Sequence, residues 1–424
     1  MRRVLFIAYL FPPVANSGTR RSLAFANHLP DFGWEPLVMG WAPDPGVGLE
    51  PEMLLEVKPG TRVERVPLQS RVLAARCASW LPAALRTRIE EGIAWRLRAR
   101  ATVPDEAAGW FEPCVKRALE LDREQGFDVI YATGWPWTSF LIAQRVSRLT
   151  GKPYVLDYRD QWTPSGDMAW EHVTPEQRQR NPELERSAGQ DAAAVITVTQ
   201  ALVKSVGRDC GRTDLRLITN GFEPCDFVAE APQLDDGLKR LAYTGVWRPG
   251  YGLHDLYDAI RLLKSQGHAE LALLRVQAAG FTPGPAAEAG VTEWVTEMGR
   301  VPHRTAVTLM KQAGLLYLPV PTGYYATASL PGKLFEYLGC GRPILAIVPE
   351  HSEVSSVLER TGGAVRVQPG DVPALARVLL AWLKGELAVT PPQDIEQFTR
   401  ASTTRQLAGV LDEVVARRAH GTRR

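Results

Sequence analysis

The stretch SLPGKLFEYLGCGRPI, residues 329–344, joins a turn, a helix and a strand. Its Pro331-Gly332 turn predicts a helix that begins beside Lys333, where the helix dipole and the ammonium group both attract phosphate. Glu336 follows one turn later, and a carboxylate at that place is suited to accept ribose hydroxyls. The alternative is a surface ion pair between Lys333 and Glu336 that binds no ligand.

Outward from this stretch, residues 229–395 alternate short apolar runs with amphipathic segments, which predicts a parallel sheet covered by helices. Strands are expected at 241–244, 271–277, 291–294, 315–319, 344–347 and 363–367, with helices such as 253–266 and 373–383. A second domain of this kind would hold its own apolar core.

Residues 1–228 show the same alternation, which opens with the apolar run Val4–Ala8. Further strands are expected at 36–40, 63–66, 129–132, 154–157, 194–198 and 215–218. The predicted fold class is therefore α/β, with two Rossmann-like domains and a ligand in the cleft between them, because such sheets bind ligands beyond the carboxyl ends of their strands. A helical segment at 396–424 either caps the second domain or crosses back to the first.

The segment of about 70–121 breaks the strand rhythm, and it is rich in Arg and contains Trp80, Trp95 and Trp110. We interpret it as a helical insertion in the first domain. One hypothesis is an amphipathic element that lies on a membrane surface or binds the acceptor. The other is a solvated helical pair whose aromatic rings pack inward.

Charge and cysteine usage exclude several classes of protein. The chain has 49 Lys and Arg against 47 Asp and Glu, a formal net charge of +2, which gives no general attraction to nucleic acid. Its five cysteines are scattered without paired spacing, so neither a disulfide framework nor a zinc site is indicated. No signal peptide or run of about 20 apolar residues is visible. We expect a cytoplasmic protein, monomeric or homodimeric, with contact to the inner face of the membrane if the insertion docks there.

Three motifs mark the first domain. Gly18, Thr19 and Arg20 stand at the start of a helix after strand one, where free N–H groups and a guanidinium favour an anion. Asp157 and Asp160 follow a strand end, where one carboxylate could orient an acceptor hydroxyl. Pairing of these carboxylates with an Arg of the same loop is the alternative. The indoles of Trp135 and Trp137 are expected near the same edge, where they either cover a sugar ring or fill the hydrophobic core.

Together these motifs resemble the family-4 glycosyltransferases, in the branch of polysaccharide and natural-product glycosylation. The run from Pro331 to Ile344 is similar to the donor-site helix of that family, and Asp157–Trp162 is similar to its Asp-x-Arg-Asp-Pro-Trp element. The opening loop Tyr9–Arg21 and the turn Ile218–Glu223 also match, in the same order along the chain.

The resemblance implies a GT-B fold whose final helix, within 396–424, returns to the first domain. It also implies metal-free, retaining transfer of a sugar from a nucleotide-diphosphate donor to a hydroxyl acceptor, which could be lipid-linked. It implies no bound cofactor. Lys333 and Arg248 would hold the diphosphate, Glu336 the ribose, and Asp157 or Asp160 the acceptor hydroxyl. Trp135, Trp137 and Arg159 would contact the acceptor. The donor site would comprise Gly18, Thr19, Arg20, Gly245, Arg300, Val301, Ser329, Leu330, Pro331, Lys333 and Glu336.

One departure keeps other functions open. The family commonly has a carboxylate eight residues before Glu336, where this chain has Ala328. The alternatives are therefore a GT-B relative with other chemistry, such as an epimerase or a pseudo-glycosyltransferase, and a non-catalytic nucleotide-sugar-binding partner of a transferase.

Overall fold

The chain divides into two units, each built on its own parallel sheet. The computed structural model describes residues 1–43, 49–78, 89, 103–164, 173–231, 234–246, 253–320 and 327–421. The first unit is Met1–Thr219 with Arg400–Arg424, and the second is Asn220–Thr399. This boundary precedes the expected one at residue 228, because the turn at Phe222 packs on the second unit. The Phe222 N–H donates to the carbonyl of Phe398 at 3.0 Å, and its ring lies against Gly339.

The first unit is built on a parallel sheet. Its elements are β1 (Arg2–Ile7), α1 (Ser17–His28), β2 (Trp34–Trp41), β3 (Arg62–Val66), α2 (Gln69–Ala78), α3 (Phe111–Glu124), β4 (Val129–Gly134), α4 (Thr138–Thr150), β5 (Tyr154–Tyr158), α5 (Pro175–Asp191), β6 (Ala194–Thr197), α6 (Gln200–Cys210) and β7 (Arg216–Leu217). The described strands are ordered β3-β2-β1-β4-β5-β6-β7. Val4 to Ile7 are fully buried, as expected for a central strand covered on both faces.

The second unit repeats this plan. Its elements are β8 (Lys239–Thr244), α7 (Leu253–Ser265), β9 (Leu274–Ala279), α8 (Pro285–Glu288), β10 (Val295–Glu297), α9 (His303–Gln312), β11 (Leu315–Pro319), α10 (Gly332–Cys340), β12 (Ile344–Ile347), α11 (Glu353–Thr361), β13 (Ala364–Val367) and α12 (Val372–Lys384). The described strands are ordered β10-β9-β8-β11-β12-β13, all parallel.

The last helix, α13 (Arg400–Gly421), belongs to the first unit. Leu407 and Leu411 on this helix are fully buried in the same apolar cluster as Val4 and Phe6. The indole N–H of Trp34 donates to Asp412 of α13 at 2.8 Å. Among the described residues, no helix has the length and apolar character needed to cross a bilayer.

Two expected strands are misplaced. The run 291–294 forms a turn, in which the Trp294 N–H donates to the Val291 carbonyl at 3.0 Å, and β10 begins only at Val295. The expected strand 271–277 begins at Leu274, because residues before it form a 3-10 turn. Apolar side chains at these positions are buried in either conformation, so hydrophobicity alone did not separate turn from strand.

The expected helical insertion is described only in part. Residues 79–88 and 90–102, with Trp80 and Trp95, lie outside the described residues. Trp110 is fully buried, and its indole N–H donates to the Val66 carbonyl at 2.9 Å. Its ring packs edge-on against Tyr9 at 5.1 Å. For Trp110 the inward-packed alternative is correct and a membrane-facing position is wrong.

Candidate functional site

The helix α10 carries the two charged residues that the sequence singled out in the second unit. Pro331 occupies the position before the helix and no side chain caps its N-terminus. Lys333 Nζ lies 2.6 Å from a carboxylate oxygen of Glu336, and the two side chains are 29% and 15% exposed. The ion pair expected as the alternative is therefore formed. Its two groups stay partly accessible to solvent at a helix start whose dipole favours anions.

Backbone groups line up at the carboxyl edge of this second sheet. The Gly245 N–H donates to the Ala279 carbonyl at 2.9 Å, and the Gly280 N–H donates to the Gly299 carbonyl at 2.7 Å. Gly280 has a φ of +108°, and a Cβ there would lie 2.4 Å from the Gly245 oxygen, so only glycine fits. Bare backbone of this kind lets a ligand approach closely.

A hydrogen bond joins α10 to the same edge. The Tyr337 hydroxyl accepts from the Thr244 N–H at 3.0 Å, which fixes the helix beside the end of β8. Tyr337 is fully buried, and burial raises its pKa to about 12. Sequence reasoning quoted Tyr337 within the motif but missed this role, and it missed Gly280 altogether.

The other predicted donor residues lie around this edge or outside the described residues. Arg300 is exposed and Val301 half-buried in the loop after β10, next to Gly299. Ser329, Leu330 and Pro331 lead directly into α10. Arg248, the second predicted diphosphate ligand, lies outside the described residues.

In the first unit, the ends of β4 and β5 and the start of α1 meet around Arg159. The Arg159 guanidinium donates to the carbonyls of Gly134 and Trp135 at 2.6 and 2.7 Å. A Cβ on Gly18 would lie 1.4 Å from this guanidinium, so the glycine leaves the space that Arg159 fills. Gly18 thus acts on the loop of β5, and its predicted role in approaching a ligand stays a prediction.

The predicted anion site at Thr19 and Arg20 is wrong for the Thr19 N–H, which is not free. The N–H of Thr19 donates to the Asn16 carbonyl at 3.0 Å, and its hydroxyl donates to Val14 at 2.8 Å. The Gly18 N–H donates to the Asn16 side chain, which caps α1. Arg20 forms an ion pair with Glu56. The Thr19 groups are therefore not available to a phosphate, whereas anion binding by Arg20, which is held in a partly exposed ion pair, stays a prediction.

Asp157 was predicted to orient the acceptor, and the structure places it in the core instead. It is fully buried, and both of its oxygens accept from Arg21 at 2.8 Å. The Tyr131 hydroxyl donates to the same carboxylate at 2.5 Å. Burial acts to lower the pKa of Arg21, but the charge and hydrogen bonds of Asp157 and Tyr131 together outweigh burial, so the pKa is raised. With no exposed surface, Asp157 cannot touch an acceptor, so its predicted catalytic role is corrected to a structural one.

Asp160 remains the available carboxylate of that motif. It is exposed near the start of the loop that follows β5. The surrounding protein displaces water from the carboxylate and so raises the pKa of Asp160, and the positive charge of Arg159 opposes that rise. Asp157 pairs with Arg21 of α1, and not with the loop arginine Arg159 that the sequence offered as the alternative.

The predicted acceptor tryptophans belong to an aromatic group. Trp137 is 7% exposed and stacks on Trp162 with 5.6 Å between ring centroids. Trp135 is half-buried and lies edge-on to Tyr9 at 6.3 Å. Asp105 accepts from the backbone N–H groups of Trp137 and Thr138 at 2.5 and 3.0 Å. Asp105 had no local signal in the sequence, because it lies 32 residues before Trp137.

Part of the first unit is similar to a known protein family. Residues 18–221 match the family model described as the glycosyl transferase 4-like domain. Over these residues the first unit is similar to a glycosyl transferase 4-like domain. The resemblance to family-4 glycosyltransferases that the motifs predicted is confirmed.

Solved structures similar to the chain show its fold. HepE from Anabaena, solved in complex with UDP, is 16% identical with a TM-score of 0.60 over 100% of this chain and 99% of that one. Sucrose-phosphate synthase from Thermosynechococcus elongatus is 15% identical, with a TM-score of 0.60 over 100% and 98%. Trehalose 6-phosphate synthase from Burkholderia multivorans is 13% identical, with 0.62 over 100% and 98%. No curated protein sequence matches the chain. The predicted α/β, GT-B fold is confirmed.

Proposed function

We propose that this protein transfers a sugar from a nucleotide-diphosphate donor to a hydroxyl acceptor. The observation that carries the proposal is the position of Lys333 and Glu336 at the start of α10, joined to the end of β8 by Tyr337. Supporting it are the similarity to a glycosyl transferase 4-like domain and the fold shared with HepE, whose structure contains UDP.

In this proposal, donor binding rearranges the Lys333–Glu336 pair. The ammonium group turns to the diphosphate, where the open N-terminus of α10 adds its own attraction for negative charge. Glu336 then accepts the ribose hydroxyls, and backbone groups at Arg300 and Val301 pair with the base. Arg248 is proposed as the second cation for the diphosphate.

Catalysis would rest on charge. The bond between the anomeric carbon and the diphosphate oxygen breaks, and Lys333 stabilises the negative charge on the leaving group. The acceptor oxygen bonds to the anomeric carbon, and its proton passes to the leaving diphosphate or to water. Asp160 would orient the acceptor hydroxyl. Retention of configuration and independence from metal are the outcomes that the family resemblance implies. Within the described residues, no group of three His, Cys, Asp or Glu side chains is arranged to hold a metal.

The test is turnover with a panel of nucleotide-diphosphate sugars, followed as release of nucleoside diphosphate with and without EDTA. We expect one donor to be consumed at an unchanged rate in EDTA, and the anomeric proton coupling of the product to match that of the donor. Tight nucleotide binding without release from any donor would contradict the proposal and favour a non-catalytic binding partner. Conversion of the donor sugar into its epimer would favour the epimerase alternative, which the absence of a carboxylate at Ala328 motivates.

A further inference from the structure

A recess of about 270 Å³ opens on the second unit, at the amino ends of its strands. It is bounded by the first residues of β8, by the residues just before β11 and β12, and by the last turns of α9 and α12. Lys333 and Glu336 belong to the other edge of this sheet, where the strands end. The volume approaches the roughly 300–1,000 Å³ of sites for drug-sized ligands, so the recess suits a small molecule. It is therefore separate from the site described above.

Four cationic side chains line this recess. Lys239 and Arg240 begin β8, Lys311 lies in the last turn of α9, and Arg342 precedes β12. None of the described lining residues is acidic. Arg240 forms an ion pair with Asp236, whose side chain is 45% exposed. Among the described residues, the other three cations have only backbone carbonyls as hydrogen-bond partners, so positive charge is in excess here.

Part of this charge has a structural role. The ammonium group of Lys239 donates to the Trp382 carbonyl at 2.7 Å, and the guanidinium of Arg342 donates to the Lys311 carbonyl at 2.6 Å. Both carbonyls lie in the last turns of helices, whose negative dipole ends attract cations. Two such ends together carry about one negative charge. Four cations opposed by Asp236 and by these two ends leave a net charge of about +2.

The three cations without a carboxylate partner remain accessible to a ligand. Lys239, Lys311 and Arg342 line the recess and are only half-buried. An ammonium group has three N–H donors and a guanidinium has five, and the bonds to carbonyls use only some of them. Beside them Trp382 and Leu234, which are 9% and 48% exposed, form an apolar wall. The recess thus presents charged N–H donors next to apolar surface.

We infer that this recess binds a small soluble phosphate monoester, with the phosphate at Arg342, Lys311 and Lys239 and the organic part on Trp382 and Leu234. Near pH 7 such a phosphate carries a charge of about −1.5 to −2, which matches the excess in the recess, whereas a carboxylate carries only one charge. A planar guanidinium binds two phosphate oxygens at once, and the ammonium groups add point charges. The inference goes beyond the proposed sugar transfer and does not depend on it.

The test is calorimetric titration of the full chain with phenyl phosphate, with benzoate as the reference compound. Phenyl phosphate should bind at one site with a dissociation constant below about 1 mM, and at least about tenfold more tightly than benzoate. Arg342→Gln removes the guanidinium and keeps an N–H donor for the Lys311 carbonyl, and Lys239→Met keeps the apolar stem. Each should weaken phenyl phosphate at least about tenfold, the effect of one charged hydrogen bond. Lys239→Met decides the question alone if Arg342→Gln does not fold.

Two control variants locate the site. Arg275→Gln removes a cation near the start of β9, at the same edge of the sheet but outside the recess, and should leave the affinity unchanged. Lys333→Met removes the predicted diphosphate ligand at the other edge and should also leave the affinity unchanged.

The inference is overturned if phenyl phosphate does not bind, if the folded recess variants bind it as tightly as the original chain, or if Lys333→Met abolishes the binding. Binding to vesicles that contain phosphatidic acid, without binding of phenyl phosphate, would also overturn it, because the ligand would then be a lipid headgroup. If phenyl phosphate binds in the recess but no sugar nucleotide turns over, the phosphate site holds and only the proposed function fails.

Discussion

Replacement of Asp157 by Asn separates a structural carboxylate from a catalytic one. The change leaves the Arg21 charge buried, 5% exposed, without its counter-ion. Removal of one partner from a buried pair costs about 3–5 kcal/mol. For a unit of this size each kcal/mol lowers the unfolding temperature by roughly 2–4 °C, so a fall on the order of 10 °C is expected. Differential scanning calorimetry of the full chain measures it directly.

The matched variant is Asp160→Asn, because Asp160 is exposed and follows the same strand. Its stability should change by less than about 0.5 kcal/mol, as for most surface substitutions. Turnover is expressed per folded molecule, and circular dichroism gives the folded fraction. It should fall in Asp160→Asn. In Asp157→Asn it should stay near the original value at temperatures below the melting temperature of that variant. The reasoning is refuted if Asp157→Asn melts like the original chain, or if it abolishes turnover while fully folded and Asp160→Asn does not.

Three further predictions concern single contacts. Gly18→Ala should lower the free energy of unfolding by roughly 2 kcal/mol in urea, because the added methyl group displaces Arg159 and this outweighs the gain of about 1 kcal/mol in helix propensity. A more stable variant would show that the methyl group does not clash with Arg159. Burial raises the pKa of Glu185 to about 8. Between about pH 4.5 and pH 8 the folded state therefore holds a proton that the unfolded state releases, so the free energy of unfolding falls as pH rises. Glu185→Gln should remove that slope of about 1.4 kcal/mol per pH unit, and an unchanged dependence of stability on pH would exclude Glu185 as its source. Tyr337→Phe leaves the Thr244 N–H unpaired, so urea unfolding should show a loss of about 1–3 kcal/mol, and equal stability would show that this bond does not hold α10 in place.

Most of the fold could be predicted because it depends on local patterns. The buried strands β1, β4 and β11 are short apolar runs bounded by loops, and the structure forms each close to the expected place. The start of α10 followed from the Pro331-Gly332 turn. At Val291 the same rule failed, since an apolar turn packed on the core has the composition of a strand.

The first-unit motifs were harder to assign because their partners are distant in the chain. Asp157 pairs with Arg21, which lies 136 positions away in the chain, whereas the local sequence offered only Arg159 as a partner. Asp105 fixes Trp137 across 32 positions. Gly18 matters through the space it leaves for Arg159, which no spacing rule reveals. Each contact forms because β1, β4 and β5 are neighbours in the sheet, so the loops that follow them lie side by side.

The central claim is that the start of α10 binds the diphosphate of a sugar nucleotide, and calorimetric titration of nucleoside diphosphates tests it most directly. Lys333→Met should weaken a nucleoside diphosphate at least tenfold and leave the free nucleoside unchanged, because charged hydrogen bonds contribute about 1.5–3 kcal/mol. Lys204→Met, an exposed lysine on α6 of the first unit, is the control. Equal affinity of the Lys333→Met and original chains for every nucleoside diphosphate would contradict the account.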